Sequence, residues 1–218
     1  MSIRWRWAHT LAMGVMGTLL VSGAPARAEM FPSSLEENAR VSVLVGWQRD
    51  LQTRARTQGQ APANGGPTLV ATFGYAPVAW GELGIDLFGG LQPIWKGQGA
   101  PLGAMYGALV SGRLQAMWRL SPDFLLIPRL GLHVGPAIVS GQTDRAEDFT
   151  EALGTAIGGS VSLEARFSPR WSFNLGYRYL LAQGVVPGTP HVFNGGGHTL
   201  LLGATFSFLP GTRGTWSP

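Results

Sequence analysis

Apolar and polar residues alternate with a period of two over most of the chain beyond residue 40. The segment from Trp171 to Tyr179 shows the pattern best, because aromatic or aliphatic residues hold every second position and polar or small residues hold the positions between. This alternation puts successive side chains on opposite faces of a strand. It predicts eight strands, at 40–49, 67–76, 81–91, 104–119, 124–134, 156–167, 171–182 and 198–208.

The connections between these strands are of two kinds. Three are short and contain Pro77, Pro122 or Pro169, and the others are longer and rich in glycine, proline and polar residues, at 50–66, 92–103, 135–155 and 183–197. The longest glycine run, 195–197, is expected at the tip of the last long connection. The order predicts an all-β fold, an eight-stranded antiparallel barrel with its short turns at one end. In bacterial transmembrane barrels the short turns are periplasmic and the longer loops are extracellular.

The polar face of the predicted strands carries charges of both signs, which predicts an ion-pair network in the lumen. Its expected members are Glu82, Asp86, Arg113, Arg129, Glu164, Arg166 and Arg178. Eight strands enclose a space that side chains just fill, so we expect a closed lumen. Folding the third and fourth strands onto each other should place Glu82 opposite a residue close to Arg113. Pro128 interrupts the fifth strand and is expected to mark a bulge.

A soluble barrel would use the same alternation inside out, so the period alone does not decide between the two. Small residues on the polar face, a leader at the start of the chain, and aromatic residues near strand ends favour a membrane barrel. The aromatic residues are Trp47, Trp80, Trp118, Trp171 and Phe208. We therefore expect an eight-stranded transmembrane β-barrel in the bacterial outer membrane, in contact with outer-membrane lipid and lipopolysaccharide.

The first 28 residues have the pattern of a secretory signal peptide. Basic residues precede an apolar stretch at 11–21, and small residues at 26–28 offer a cleavage site. The apolar stretch is shorter than the ~20 residues that a spanning helix needs. The expected organisation is a signal peptide at 1–28, a periplasmic N-terminal tail at 29–39, the barrel at 40–208 and a periplasmic C-terminal tail at 209–218.

Composition narrows the candidate functions. The chain has no cysteine, which excludes disulfides, zinc–thiolate sites and thiol nucleophiles. Of its 16 basic residues, Arg4, Arg6 and Arg27 lie in the leader, so 13 remain against 12 acidic residues. The remaining basic residues form no single face, and nucleic-acid binding is not expected. No motif for a cofactor or a metal is present.

The end of the chain resembles a known family. The segment Gly176-Tyr177-Arg178-Tyr179, followed by a glycine-rich connection and residues 198–208, resembles the closing hairpin of small OmpA/OmpX-type outer-membrane barrels. In that family the last strand reads Gly-x-x-aromatic-x-aromatic and is recognised by the barrel-assembly machinery. The resemblance implies that this assembly signal is formed by Gly203, Phe206 and Phe208. The chain departs from the pattern at Leu201, where a polar residue is usual, and in the ten residues that follow Phe208.

Candidate catalytic residues are few. Ser111, His133 and Asp86 could combine in a hydrolytic site, but no nucleophile-elbow pattern accompanies them. Barrel enzymes that trim lipid A carry a His-x-Ser motif just after a strand like Gly176–Tyr179, and residues 180–183 lack it. We therefore expect a structural or surface-binding role without catalytic activity, for a surface ligand that the sequence does not identify. The alternatives are a lipid A-modifying outer-membrane hydrolase and a small pore.

Overall fold

The computed structural model describes residues 38–49, 65–93, 102–121, 124–142, 149–168, 170–185 and 192–208. Within these ranges the chain forms nine strands. They are β1 (Asn38–Arg49), β2 (Gly66–Val78), β3 (Gly81–Pro93), β4 (Leu102–Gln115), β5 (Trp118–Ser121), β6 (Phe124–Gln142), β7 (Phe149–Arg166), β8 (Trp171–Val185) and β9 (Val192–Ser207). The expected signal peptide, most of the expected N-terminal tail and all of the expected C-terminal tail lie outside the described residues. No described helix is long and apolar enough to cross a membrane.

The strands form one closed antiparallel barrel. Their order is β4-β3-β2-β1-β9-β8-β7-β6-β5, and a further pairing between β4 and β6 closes the ring. β4 and β5 occupy one position in the wall, because both pair with β6. The described residues therefore form an eight-stranded barrel, which confirms the fold predicted from the alternation. β1 begins at Asn38, two residues before the expected start.

The break between β4 and β5 lies beside Pro128. Gln115 pairs with Arg129 before the break, and Trp118 pairs with Leu126 after it. Proline has no backbone N–H, so it cannot complete the ladder towards this neighbour. The register is unchanged across the break, and the prediction of a bulge at Pro128 is wrong. A shift of register occurs nearer the turn, between residues 119 and 121.

Several strands are longer than predicted. β6 continues to Gln142, β7 begins at Phe149 and β9 begins at Val192, so much of the expected long connections at 135–155 and 183–197 is strand. The glycine run 195–197 lies in β9 opposite β8, not at a loop tip. Gly196 has a φ of 102°, and a Cβ there would come within 2.2 Å of a backbone oxygen of β8. Only glycine fits that combination.

The outer wall of the barrel is apolar. On β3, Leu83, Ile85 and Leu87 are 52–61% exposed, whereas Glu82 and Asp86 on the opposite face are buried. The other strands show the same division, as the alternation predicted. Aromatic side chains gather on the wall near the short turns, where the ring of Phe206 packs on Trp171 at 4.9 Å and on Phe208 at 5.1 Å.

The interior holds two apolar clusters and a group of charged and polar side chains. The small cluster, near the short turns, is formed by Met117, Leu125 and Ile127. It lies beside the charged group, because Leu125 pairs with Arg166 and Ile127 pairs with Glu164. Charged and polar side chains fill the middle. The layer towards the long connections is a larger apolar cluster, formed by Val70, Phe88, Met105, Leu109, Ala137, Val139, Ala156, Leu180, Ala182 and Leu201. The sequence predicted a polar interior throughout, so this upper apolar layer is a difference from the expectation.

Candidate functional site

The charged middle layer is the candidate site, and strand register assembles it. Glu82 on β3 lies directly opposite Arg113 on β4. Arg113 Nη1 donates to Glu82 Oε1 at 2.6 Å, and its Nη2 donates to Asp86 Oδ1. Both carboxylate side chains are 2% exposed. One arginine therefore bridges two buried carboxylates on the neighbouring strand.

Arg40 on β1 links this group to the far side of the lumen. Its Nη2 lies 2.8 Å from Glu82 Oε2, and its Nη1 lies 3.4 Å from Glu164 Oε2 on β7. Its Nη2 also donates to Gln115 Oε1 at 3.0 Å. Arg40 was not among the residues expected in the network. Its parity with the inward-facing Ser42 is the signal that could have found it.

Glu164 is the second centre of the network. Arg166 donates to its Oε1 from Nε at 3.2 Å and from Nη2 at 3.0 Å, and Arg129 Nη2 contacts its Oε2. Arg129 Nε also lies 4.0 Å from Glu82 Oε2. The structure thus brings six of the seven expected residues into one connected set of ion pairs.

Arg178 is the seventh expected residue, and it stands apart. Its side chain is 2% exposed, yet none of its guanidinium nitrogens has a hydrogen-bond partner among the described residues. The guanidinium carbon lies 5.2 Å from the centre of the Phe88 ring, at the lower edge of the upper apolar layer. Arg178 thus makes a cation–π contact with Phe88 and no close ion pair with a described carboxylate, although the charge of Asp86 acts on it through space.

A chain of three hydrogen-bonded side chains lies next to the network. His133 Nδ1 is 2.7 Å from Asp86 Oδ2, and His133 Nε2 is 2.7 Å from Ser160 Oγ. In the sequence analysis, Ser111 was the serine considered as a partner of His133. Ser111 lies opposite His133 in the β4–β6 ladder, but its hydroxyl has no hydrogen-bond partner among the described residues. The serine that contacts His133 is Ser160 on β7, so His133 and Asp86 do meet, but with a serine that the sequence analysis did not consider.

The order Asp86–His133–Ser160 is that of a hydrolytic triad, in which the carboxylate orients the imidazole and the imidazole activates the hydroxyl. The space beside it is small. The lumen cavity that these residues line has a volume of about 60 Å³, against roughly 300 Å³ or more for pockets that bind organic ligands. Asp86 also accepts a hydrogen bond from Thr72 at 2.8 Å. The arrangement fixes the orientation of His133, and its cavity admits only water-sized groups.

Glycines on the inner face make room for the charged side chains. A Cβ on Gly74 would lie 2.6 Å from Glu82 Oε1, and one on Gly131 would lie 2.7 Å from Ser160 Oγ. These positions explain why glycine recurs on the polar face. Among the described residues, no group of three or more histidine or acidic side chains could hold a metal ion.

The residues of the expected assembly signal lie on β9 and just beyond it. Gly203 pairs with Leu44 on β1 and with Asn174 on β8. Phe206 belongs to the aromatic cluster near the short turns. Phe208 is 54% exposed on the outer wall, and its backbone N–H donates to the Ala39 oxygen at 2.8 Å. The closing strand therefore ends in exposed aromatic rings beside the start of β1.

Comparisons with solved structures concern the fold. Neisserial surface protein A matches with a TM-score of 0.55 and 18% identity, over 78% of this chain and 97% of that chain. OprG from Pseudomonas aeruginosa matches with a TM-score of 0.49 and 12% identity, over 79% of this chain and 96% of that chain. Ail of Yersinia pestis matches with a TM-score of 0.46 and 15% identity, over 79% of this chain and 99% of that chain. No family model and no curated protein matches the chain. The closed barrel and its likeness to Neisserial surface protein A show that this chain has the fold of the small eight-stranded outer-membrane β-barrels.

Proposed function

We propose that this protein is an outer-membrane β-barrel with a structural or surface-binding role, exported by its N-terminal leader and without catalytic activity. Outer-membrane lipid and lipopolysaccharide contact its wall. The barrel-assembly machinery recognises the closing strand through Gly203, Phe206 and Phe208. The long connections lie at the cell surface and provide the binding surface for a ligand.

The apolar wall supports the membrane location. Large aliphatic and aromatic side chains point outwards from successive strands and are half exposed or more, as on Val45, Leu69, Leu132 and Leu202. A soluble monomer rarely exposes a continuous apolar surface of this extent. A barrel has no open strand edge, so all the ladder groups in such a wall can be paired inside a bilayer.

The packed interior is the observation that carries the structural role. The small apolar cluster lies beside the ion-pair network, and the larger apolar cluster fills the described lumen towards the long connections. A water-filled pore needs a polar lumen that side chains leave open. The closed interior favours a rigid support for surface segments over a channel.

The hydrolase is a second candidate, because Asp86, His133 and Ser160 have the order of a triad. Lipid A isolated from cells that express the protein separates the two functions. We expect the protein in the outer-membrane fraction and no change in lipid A mass, with the wild type and with Ser160→Ala alike. Loss of an acyl chain in cells with the wild type, absent in cells with Ser160→Ala, would overturn the proposal in favour of the enzyme.

A further inference from the structure

Arg178 is a buried cation without a hydrogen-bonded partner in the described part of the chain. Its Nε, Nη1 and Nη2 are all buried, and the Phe88 ring meets the face of the guanidinium. A ring face does not satisfy the N–H groups at the guanidinium edge, which point in its own plane. The charge of Asp86 acts on Arg178 from a distance, but buried N–H groups without an acceptor cost free energy, so these donors call for one.

The carboxylates of the lumen are already engaged by other arginines. Glu82 holds Arg40 and Arg113, Glu164 holds three arginines, and Asp86 holds Arg113 and His133. The described middle layer thus contains five arginines, against three carboxylates. The arginines are Arg40, Arg113, Arg129, Arg166 and Arg178. Counting these arginines and carboxylates alone, two positive charges remain uncompensated in a medium where charges interact strongly.

The space for an acceptor lies beside Arg178. The cavity of about 60 Å³ is lined by three of the five arginines, Arg113, Arg129 and Arg178. Hydroxyl and amide groups of Thr72, Ser160 and Asn174 also line it, as do the carboxylates Glu82 and Asp86. The volume suits a few water molecules or one monatomic anion. An organic phosphate or a carboxylic acid with a side chain is too large for it.

From the unpaired guanidinium, the surplus positive charge and the cavity, we propose that the lumen binds one chloride ion beside Arg178. The ion completes the charge balance of the middle layer and accepts hydrogen bonds from the Arg178 guanidinium. A multiply charged anion fits less well, because Glu82 and Asp86 line the same cavity and repel it. This inference goes beyond the proposed function and does not depend on it.

Chloride should stabilise the folded barrel if it binds the folded and not the unfolded chain. Purified protein is folded in detergent micelles, and unfolding by urea is followed while chloride replaces gluconate at constant ionic strength. For the wild type we expect a saturable rise in stability. At ten times the half-saturating concentration the folded-to-unfolded ratio should increase about eleven-fold. Arg178→Met should abolish the response, whereas the exposed Arg119→Met should keep it.

Bromide gives a direct test on the unmodified protein. Crystals grown with bromide in place of chloride should show one anomalous-scattering peak within hydrogen-bonding distance of the Arg178 guanidinium. This measurement decides the matter even if Arg178→Met does not fold. A wild-type barrel that is indifferent to chloride and shows no bromide peak in the lumen would overturn the proposal. An equal chloride response in a folded Arg178→Met variant would do the same.

Discussion

Glu82 and Arg113 face each other across the β3–β4 ladder, and their side chains meet in the lumen with Arg113 Nη1 2.6 Å from Glu82 Oε1. The pair is the point at which the carboxylates of β3 join the arginines of β1, β4 and β6. Arg40 reaches the same Glu82 from β1, and Arg113 also holds Asp86. The stability of the barrel should therefore depend on the charges as a set.

Breaking this pair from one side should be costly. Arg113→Met leaves two buried carboxylates short of a cation, and we expect a loss of about 3–5 kcal/mol in the free energy of unfolding. In the double variant with Glu82→Gln, the summed losses of the single variants should exceed the measured loss by about 1 kcal/mol or more. Urea unfolding of the four proteins in micelles measures the coupling. Strictly additive losses would show that the two residues are not coupled.

Gly74 lies under Glu82, and its lack of a side chain has a measurable consequence. Arg40 and Arg113 hold Glu82 in place, so a methyl group at residue 74 would overpack the lumen. We expect Gly74→Ala to reduce stability by roughly 1–3 kcal/mol. Gly112→Ala is the matched control, because a Cβ on Gly112 meets no atom within 4 Å. Equal stability of the two variants would mean that the lumen has room to spare at Glu82.

The closing strand should govern assembly through its last exposed ring. Phe208→Ala should lower the fraction of protein that migrates as a folded, heat-modifiable species in outer membranes. Deletion of residues 211–218 is the control and should have a much smaller effect. The opposite ranking would remove Gly203, Phe206 and Phe208 as the assembly signal.

The orientation of the barrel can be read by labelling, because the chain has no cysteine of its own. Two single-cysteine variants provide the labelling sites. Gln58→Cys places a cysteine in the connection after β1, and Asp123→Cys places one in the short turn between β5 and β6. A maleimide that does not cross membranes should label the first variant in intact cells and the second only after the outer membrane is opened. Labelling of residue 123 alone in intact cells would invert the topology.

The fold could be predicted from the sequence where the two faces of a strand differ in polarity. The lower half of the barrel meets that condition, as in β8 with Trp171 and Phe173 outside and Ser172 and Asn174 inside. In the upper half many inward positions are apolar as well, as at Ala137 and Val139 on β6. The alternation of apolar and polar residues is weak there, which is why the predicted strands are shorter than the observed ones.

The candidate site could be predicted only in part, for a related reason. Neighbours along a ladder follow from register, so Glu82 and Arg113 could be paired in advance. Contacts across the lumen, such as Arg40 with Glu164, depend on the tilt and closure of the barrel. The alternation along the sequence contains no information about the tilt or the closure of the barrel. The choice of Ser160 over Ser111 as the partner of His133 is of the same kind, because both serines lie on strands next to β6.

Conductance tests the closed lumen most directly. Purified wild-type barrel is inserted into a planar lipid bilayer under an applied voltage, with a known porin in the same lipid as the positive control. The buried ion-pair network and the larger apolar cluster above it predict no steady current above the bilayer background. A steady single-channel current through the wild-type monomer would contradict the closed lumen and make the protein a pore.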